Sequence, residues 1–272
     1  MKRIGDVMRE MPLPSQPRSQ SGQGAVRIRS RDTVRCPICQ DAGYLRANVP
    51  VGHPSFGRLF PCECKQRELD ERRDEELRRL SNLDAFGDLT FETFDPDVPG
   101  LDEAYEAALA FAQEPGHGWL FLSGPCGVGK THLAVAIARY AMEWHRMSVY
   151  FAVVPDLLDH LRSTFDPNSG SAYDDRFSTI RNAPLLVLDD LGTENATPWA
   201  KEKLYQIINH RYIEQMPTVI TTNVDLSAKG KIDERIYSRI MDHRLTQHIA
   251  VDAEDFRLAG DPRRIRGRSR RR

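Results

Sequence analysis

The sequence predicts an α/β protein in which a five-stranded parallel sheet is flanked by helices, with a small cysteine module ahead of it. Three observations carry this. From Phe91 onward, short apolar strands alternate with helical patterns. A glycine-rich turn, Gly124 to Thr131, joins one strand directly to one helix. Four of the five cysteines, Cys36, Cys39, Cys62 and Cys64, cluster before the alternating region.

The chain has 272 residues, room for one α/β domain and a small appendage. Residues 1–34 are rich in Ser, Gln, Pro and Gly and carry no apolar h-region, so a disordered leader is expected rather than a secretory signal. No apolar run approaches the ~20 residues of a membrane span, so no membrane contact and a cytoplasmic location are expected. The net charge of −1 excludes an overall field for nucleic acid. The final twelve residues, "DPRRIRGRSRRR", hold seven arginines. They read either as a solvated tail or as a contact to a phosphate backbone.

Residues 35–64 form the cysteine module. In a cytosolic chain this clustering favours metal over disulfides. Cys36-x2-Cys39 and Cys62-x-Cys64 supply four thiolates, the set that suits a closed, structural Zn²⁺ site. So short a segment cannot bury a core of its own, and the metal would supply its folding energy. His53, between the pairs, could substitute for one cysteine as a ligand but reads as an ordinary loop histidine. Residues 65–88 are a charged helical connector, with Leu69, Leu77, Leu80 and Leu83 as a thin apolar stripe.

Strands are expected near 119–123, 148–153, 184–189, 216–221 and 246–251, and helices near 101–113, 130–145, 155–165, 198–214 and 231–242. Gly124, Pro125, Cys126, Gly127, Val128, Gly129, Lys130 and Thr131 satisfy G-x-x-x-x-G-K-[ST] between strand and helix. Glycines let the backbone N–H groups turn inward around phosphate oxygens, and the helix start adds its positive dipole end. Lys130 is expected on the β/γ-phosphates of ATP and the Thr131 hydroxyl on Mg²⁺.

The companion acid stands in "APLLVLDDLGTE". Asp189 is assigned to the Mg²⁺ shell through water, and Asp190 to polarising the attacking water. Glu194 is a rival for the second role. In "MPTVITTN", Asn223, or alternatively Thr222, is placed to orient the water near the γ-phosphate; an Asn there also reads as a plain turn residue. In "KIDERIYSRIMDHRL", Arg235 and Arg239 share a helical face. They are either a solvated basic face pairing with Asp233, Glu234 or Asp242, or arginine fingers reaching a neighbouring subunit's γ-phosphate. Between helix and acid strand, Phe165, Tyr173 and Phe177 interleave with Arg162, Arg176 and Arg181. That segment reads either as a base-stacking, phosphate-neutralising loop or as a surface loop with aromatics packed inward.

The order "GPCGVGKTHLAVAIA", "LLVLDDLGTE", "TTN", "DERIYSRIMD" resembles AAA+ ATPases of the initiator/helicase-loader branch. With "LTFETFDP", "TPWAKEKLYQIINHRY" and "CPICQDAGY…PCEC", it resembles DnaC/DnaI-type replicative helicase loaders in particular. The resemblance implies ATP at Gly124–Thr131, hydrolysis at Asp189 and Asp190, a γ-phosphate sensor at Asn223, and a trans finger at Arg239 with Arg235 as helper. It also implies an ATPase domain over 89–252 that binds single-stranded DNA and self-associates through the ATP site. The N-terminal zinc module would dock on a DnaB-type replicative helicase. The remaining residues, 253–272, leave no room for the helical lid of many AAA+ proteins, which implies a slow, partner-stimulated ATPase switch. The alternative is a transposition-helper ATPase of the IstB type. A P-loop nucleoside kinase and a non-hydrolysing adaptor are the other classes weighed.

Overall fold

The computed structural model describes residues 2–3, 34–163, 170–192, 197–225 and 232–259. The chain divides into two compact units, Met1–Asp74 and Glu75–Arg272.

In the first unit, β2 (Tyr44–Arg46) pairs antiparallel with both β1 (Lys2–Arg3) and β3 (Leu59–Pro61). Its buried centre is Cys36, Cys39 and Cys62, with Leu45 and Cys64 packed against them. Such a core is too small to hold thirty residues by apolar burial. Helix α1 (Glu63–Leu80) follows; of the leucine stripe, Leu77 and, just past the helix, Leu83 are buried while Leu69 is exposed.

The second unit is built on a five-stranded sheet of order β5-β6-β7-β4-β8: β4 (Trp119–Ser123), β5 (Val149–Val153), β6 (Leu185–Asp189), β7 (Thr218–Thr222) and β8 (Thr246–Ala250). All four pairings are parallel. Parallel strands covered on both faces should read as unbroken apolar runs, and β4, β6 and β7 are buried at every position. Successive side chains go to opposite faces. Leu120 and Leu122 join the core with α2 (Asp102–Gln113) and α3 (Lys130–Trp144). Trp119 and Phe121 join the other, with α4 (Val154–Ser163), α5 (Gly170–Arg181), α6 (Pro198–Ile213) and α7 (Glu234–Ile240). The outer edge of β5 is bonded by the preceding chain: the Asn82 N–H donates to the Phe151 carbonyl, and the Phe151 N–H to Ser81 Oγ, both at 3.2 Å. Among the described residues no helix is long and apolar enough to cross a membrane.

The five expected strands and five expected helices are present, with ends shifted by a few residues. The segment 162–181 corrects the loop reading. Residues 170–181 are helix α5, and Tyr173, Phe177 and Ile180 are buried at i, i+4, i+7. Tyr173 and Phe177 stack on each other at 6.0 Å, and Lys203 Nζ lies 5.3 Å and 5.1 Å from their centroids. Neither ring is free to stack on a base, so the inward-packed reading holds for these two; Phe165 lies outside the described residues.

One buried charge fastens this layer. Arg211, fully buried on α6, donates to Thr218 Oγ1 (2.9 Å) and to the carbonyls of Arg181 (3.0 Å), Ala183 (2.8 Å) and Pro217 (2.5 Å). It thereby ties α6 to the chain between α5 and β6 and to the start of β7. Burial pulls its pKa down to about 9, so it stays charged at neutral pH. Its planar fork reaches three separate carbonyls, which a lysine's single ammonium cannot. Both Arg211→Lys and Arg211→Met are expected to destabilise the unit by about 2–4 kcal/mol in urea unfolding, through orphaned buried carbonyls. A change below about 0.5 kcal/mol, the range of ordinary surface substitutions, would contradict this.

Candidate functional site

The sheet order decides what meets at the strand ends. β7 lies between β4 and β6, so the residues closing it sit between the glycine turn after β4 and the acids at the end of β6. Ligands in open parallel sheets bind at such carboxyl ends.

The turn is held open by glycines where a side chain has no room. Gly129 caps α3 with φ +92°, and a Cβ there would come within 2.9 Å of the Phe94 ring. Lys130 follows, nearly buried, with Nζ donating to the carbonyls of Gly124 (2.9 Å) and Pro125 (2.6 Å). Burial depresses its pKa, while Asp190 and Asp189 push the other way. Next to it, Thr131 Oγ1 donates to both oxygens of Asp189 at 3.0 and 3.1 Å. Asp189 is only 2% exposed. Desolvation raises its pKa, and hydrogen bonds from Thr221 and Thr131 oppose that rise. Asp190 adopts φ +59° and turns into the same space. Asn223 Nδ2 reaches Cys126 Sγ at 3.4 Å across it.

These groups border a cavity of about 460 Å³, within the range of small-molecule sites. Lys130, Thr131, Asp190 and Asn223 are on its polar side; Phe86, Leu89 and Phe256 form an apolar wall. The geometry brings together the glycine turn, both acids and Asn223. The donors and acids also fit Mg²⁺, a cation that favours oxygen ligands and few protein carboxylates. Glu194 lies outside the described residues.

Arg235 and Arg239 do not border this cavity. They lie on α7 against α6. Arg235 pairs with Asp233 (3.1 Å) and Glu202 (3.4 Å) and sits 4.1 Å over the Tyr205 ring. Arg239 donates to Asn209 Oδ1 (2.9 Å), the Arg235 carbonyl (2.7 Å) and the Tyr205 hydroxyl (3.2 Å). Of the acids considered for them, Asp242 is instead bound by Arg244 at 2.6 Å and by the Tyr212 hydroxyl at 2.6 Å.

Sequence reasoning missed two residues here. Arg257, counted with the arginine-rich tail, borders the cavity on the short helix α8 (Phe256–Ala259). The Phe256 N–H donates to the Gly127 carbonyl at 3.1 Å, which brings that segment onto the glycine turn. Thr221 holds Asp189 at 2.6 Å; inside "TVITTN" it reads only as a β-branched strand residue.

In the first unit, the four cysteine sulfurs lie within 4.8 Å of one another. Cys36 and Cys62 are 3.7 Å apart, and Cys39 and Cys64 3.4 Å. Four ligands at about 2.3 Å around a tetrahedral Zn²⁺ stand about 3.8 Å apart, so the residues fit the ion. The first knuckle is shaped by positive φ at Gln40 and Asp41, and the Asp41 carboxylate accepts the Cys36 N–H at 2.8 Å. The Cys39 backbone N–H draws the Cys36 thiol down to about 7; hydrogen bonding to Cys39 and then burial push Cys64 up to about 12. Crowded thiols resist joint ionisation until a dication compensates them. His53 instead accepts the Ser55 N–H at 3.1 Å on an exposed loop. The purified chain is expected to carry about one zinc by elemental analysis. Cys39→Ser should lose the metal and expose residues 34–64 to protease while nucleotide binding persists. A zinc-free chain whose Cys39→Ser variant resists protease equally would remove the assignment.

Over 240 residues the chain is 26% identical to the replicative helicase loader DnaI of Bacillus subtilis (strain 168), covering 82% of this chain and 73% of that protein. It is 28% identical over 192 residues to the protein assigned as ATP-binding in insertion sequence IS232 of Bacillus thuringiensis subsp. berliner, covering 68% and 73%. The crystal structure of the DnaC helicase loader superposes with a TM-score of 0.52 at 27% identity, covering 62% of this chain and 99% of that one. The fold is that of the AAA+ ATPase core. Residues 57–270 match the IstB-like ATP binding proteins, and the chain belongs to that family.

Proposed function

We propose that this chain is an ATP-driven loader that places a hexameric replicative helicase on single-stranded DNA. The observation that carries the reading is the joining, in one chain, of the glycine-turn cavity and a four-cysteine metal module. The match to DnaI extends over 82% of the chain, more than residues 89–252 alone provide, and that relative is named a replicative helicase loader.

In this reading Lys130 leaves the carbonyls of Gly124 and Pro125 for the β/γ-phosphates, joined by the N–H groups of the turn. Thr131 and Asp189 hold Mg²⁺, which would supply charge neutralisation on the phosphates. Asp190 orients a water and takes its proton as the oxygen attacks the γ-phosphorus. The bond to the β–γ bridging oxygen breaks, and that oxygen leaves with ADP. Asn223 and Arg257 donate to the γ-phosphate from within the chain. Arg239, with Arg235 beside it, reaches the γ-phosphate of the next protomer, so ATP joins protomers and hydrolysis parts them. Their positions outside the chain's own cavity support action in trans. The unit boundary at Asp74 supports treating 35–64 as a separate docking module and 89–252 as the ATPase domain, with Asp252–Arg257 as part of the latter.

A transposition helper is the second reading, favoured by the family's own description and the insertion-sequence relative. Retention of a replicative helicase, lost with chelator, supports the loader; retention of a transposase alone supports the helper.

Removing a finger acting in trans lowers hydrolysis on the order of a thousandfold or more. Lys130→Ala and Arg239→Ala are each expected to be inactive, and their mixture to regain partial hydrolysis, because each supplies what the other lacks. A mixture as inactive as either variant excludes the trans finger.

A further inference from the structure

We propose that Thr221 is the positioning residue that fixes both acids of the site, an inference that rests on the ATPase reading above. The β6–β7 ladder ends at the pair Leu188–Ile220. Beyond it Asp189 faces Thr221, and side chains join the backbone in bonding the two segments. Thr221 is fully buried. Its Oγ1 donates to Asp189 Oδ1 at 2.6 Å and accepts the Asp190 N–H at 3.0 Å. The hydroxyl has one proton, and an ionised carboxylate can only accept, so the two bonds fix its direction.

The neighbouring residues complete the fastening. The Leu191 N–H donates to the Thr221 carbonyl at 2.9 Å, and Thr222 Oγ1 donates to the Leu191 carbonyl at 2.6 Å. Residues 189–191 are thus held at four points by residues 221–222. That matters because Asp190 has φ +59°, a left-handed conformation that L-residues disfavour. It turns the chain out of the strand and brings Asp190 to the cavity. Valine at position 221 would keep the shape and the strand preference. It would remove the hydroxyl that accepts the Asp190 N–H and the shortest bond to Asp189. The hydroxyl, not the branched shape, is what the site uses.

The test compares full-length Thr221→Val and Thr221→Ser with the parent, measuring affinity for a fluorescent ATP analogue and kcat and KM for hydrolysis. A misplaced acid costs on the order of 10–100-fold in rate. The Val variant is expected to lose that much in kcat with KM within about twofold, and Ser, which restores the hydroxyl, to stay within about threefold of the parent. Val at the parental rate, Ser as damaged as Val, or affinity falling in step with rate would overturn the proposal. Thr221→Ala is read in place of a Val variant that does not fold. Should the parent bind nucleotide without hydrolysing it, the ATPase reading fails and Thr221 is read by Mg²⁺ titration of nucleotide affinity. There the Val variant is expected to need more Mg²⁺, and superimposable curves overturn the proposal.

Discussion

Asp189 is a carboxylate taken almost wholly out of water at the end of a buried strand, and the ATPase unit is organised around making that tolerable. An unpaired charge in such a place would take up a proton. Two hydroxyls reach it, Thr131 from the start of α3 and Thr221 from the end of β7. Both can arrive only because β7 lies between β4 and β6 in the sheet. Strand order, rather than any single contact, is therefore the constraint that sets the site. A sheet of the same strands with β4 beside β6 would separate Thr221 from one of its two neighbours.

The strands were legible because a strand buried on both faces leaves an uninterrupted apolar run, as in "LLVL" before Asp189. The glycine turn was legible because the demand for positive φ selects glycine. Helix α5 was not. Tyr173, Phe177 and Ile180 have helical spacing, but interleaved arginines drew attention to chemistry that aromatics and cations can share. Burial decided between the two uses, and burial depends on Lys203 and the rest of α6 more than twenty residues away. Thr221 was invisible for a related reason. Its local pattern is satisfied by any β-branched residue, and its partners are set by tertiary pairing. Arg257 lay hidden in composition, one arginine just ahead of many.

Arg235 is exposed and Arg239 half-buried, and aromatic rings hold both in place on α7. Both guanidinium groups lie over Tyr205, at 4.1 and 4.9 Å from its centroid, and Arg239 also lies 5.7 Å from Tyr212. Stacking on an aromatic face restricts a flexible side chain at little desolvation cost. The Asn209 and Tyr205 oxygens then fix the plane of Arg239 with neutral acceptors. Arg235 differs, since it spends its charge on Asp233 and Glu202. For the trans role proposed above, Arg239 is the better placed of the two, since no carboxylate would have to be displaced first.

The two units solve the stability problem by different physics, and this bears on function. The sheet unit buries strands on both faces and can tolerate strain at Asp190 and a buried Arg211 because its core is large. The cysteine unit has three buried cysteines for a centre, and the ion its four thiols fit would supply the order that apolar burial does not. Its surface can accordingly carry apolar side chains that a larger domain would have drawn inward: Val51, Phe56 and Leu59 are 83%, 48% and 54% exposed. A module ordered by metal would not need those groups for its own core. In the proposed loader reading, such exposed apolar groups are what a docking module would offer a partner's surface.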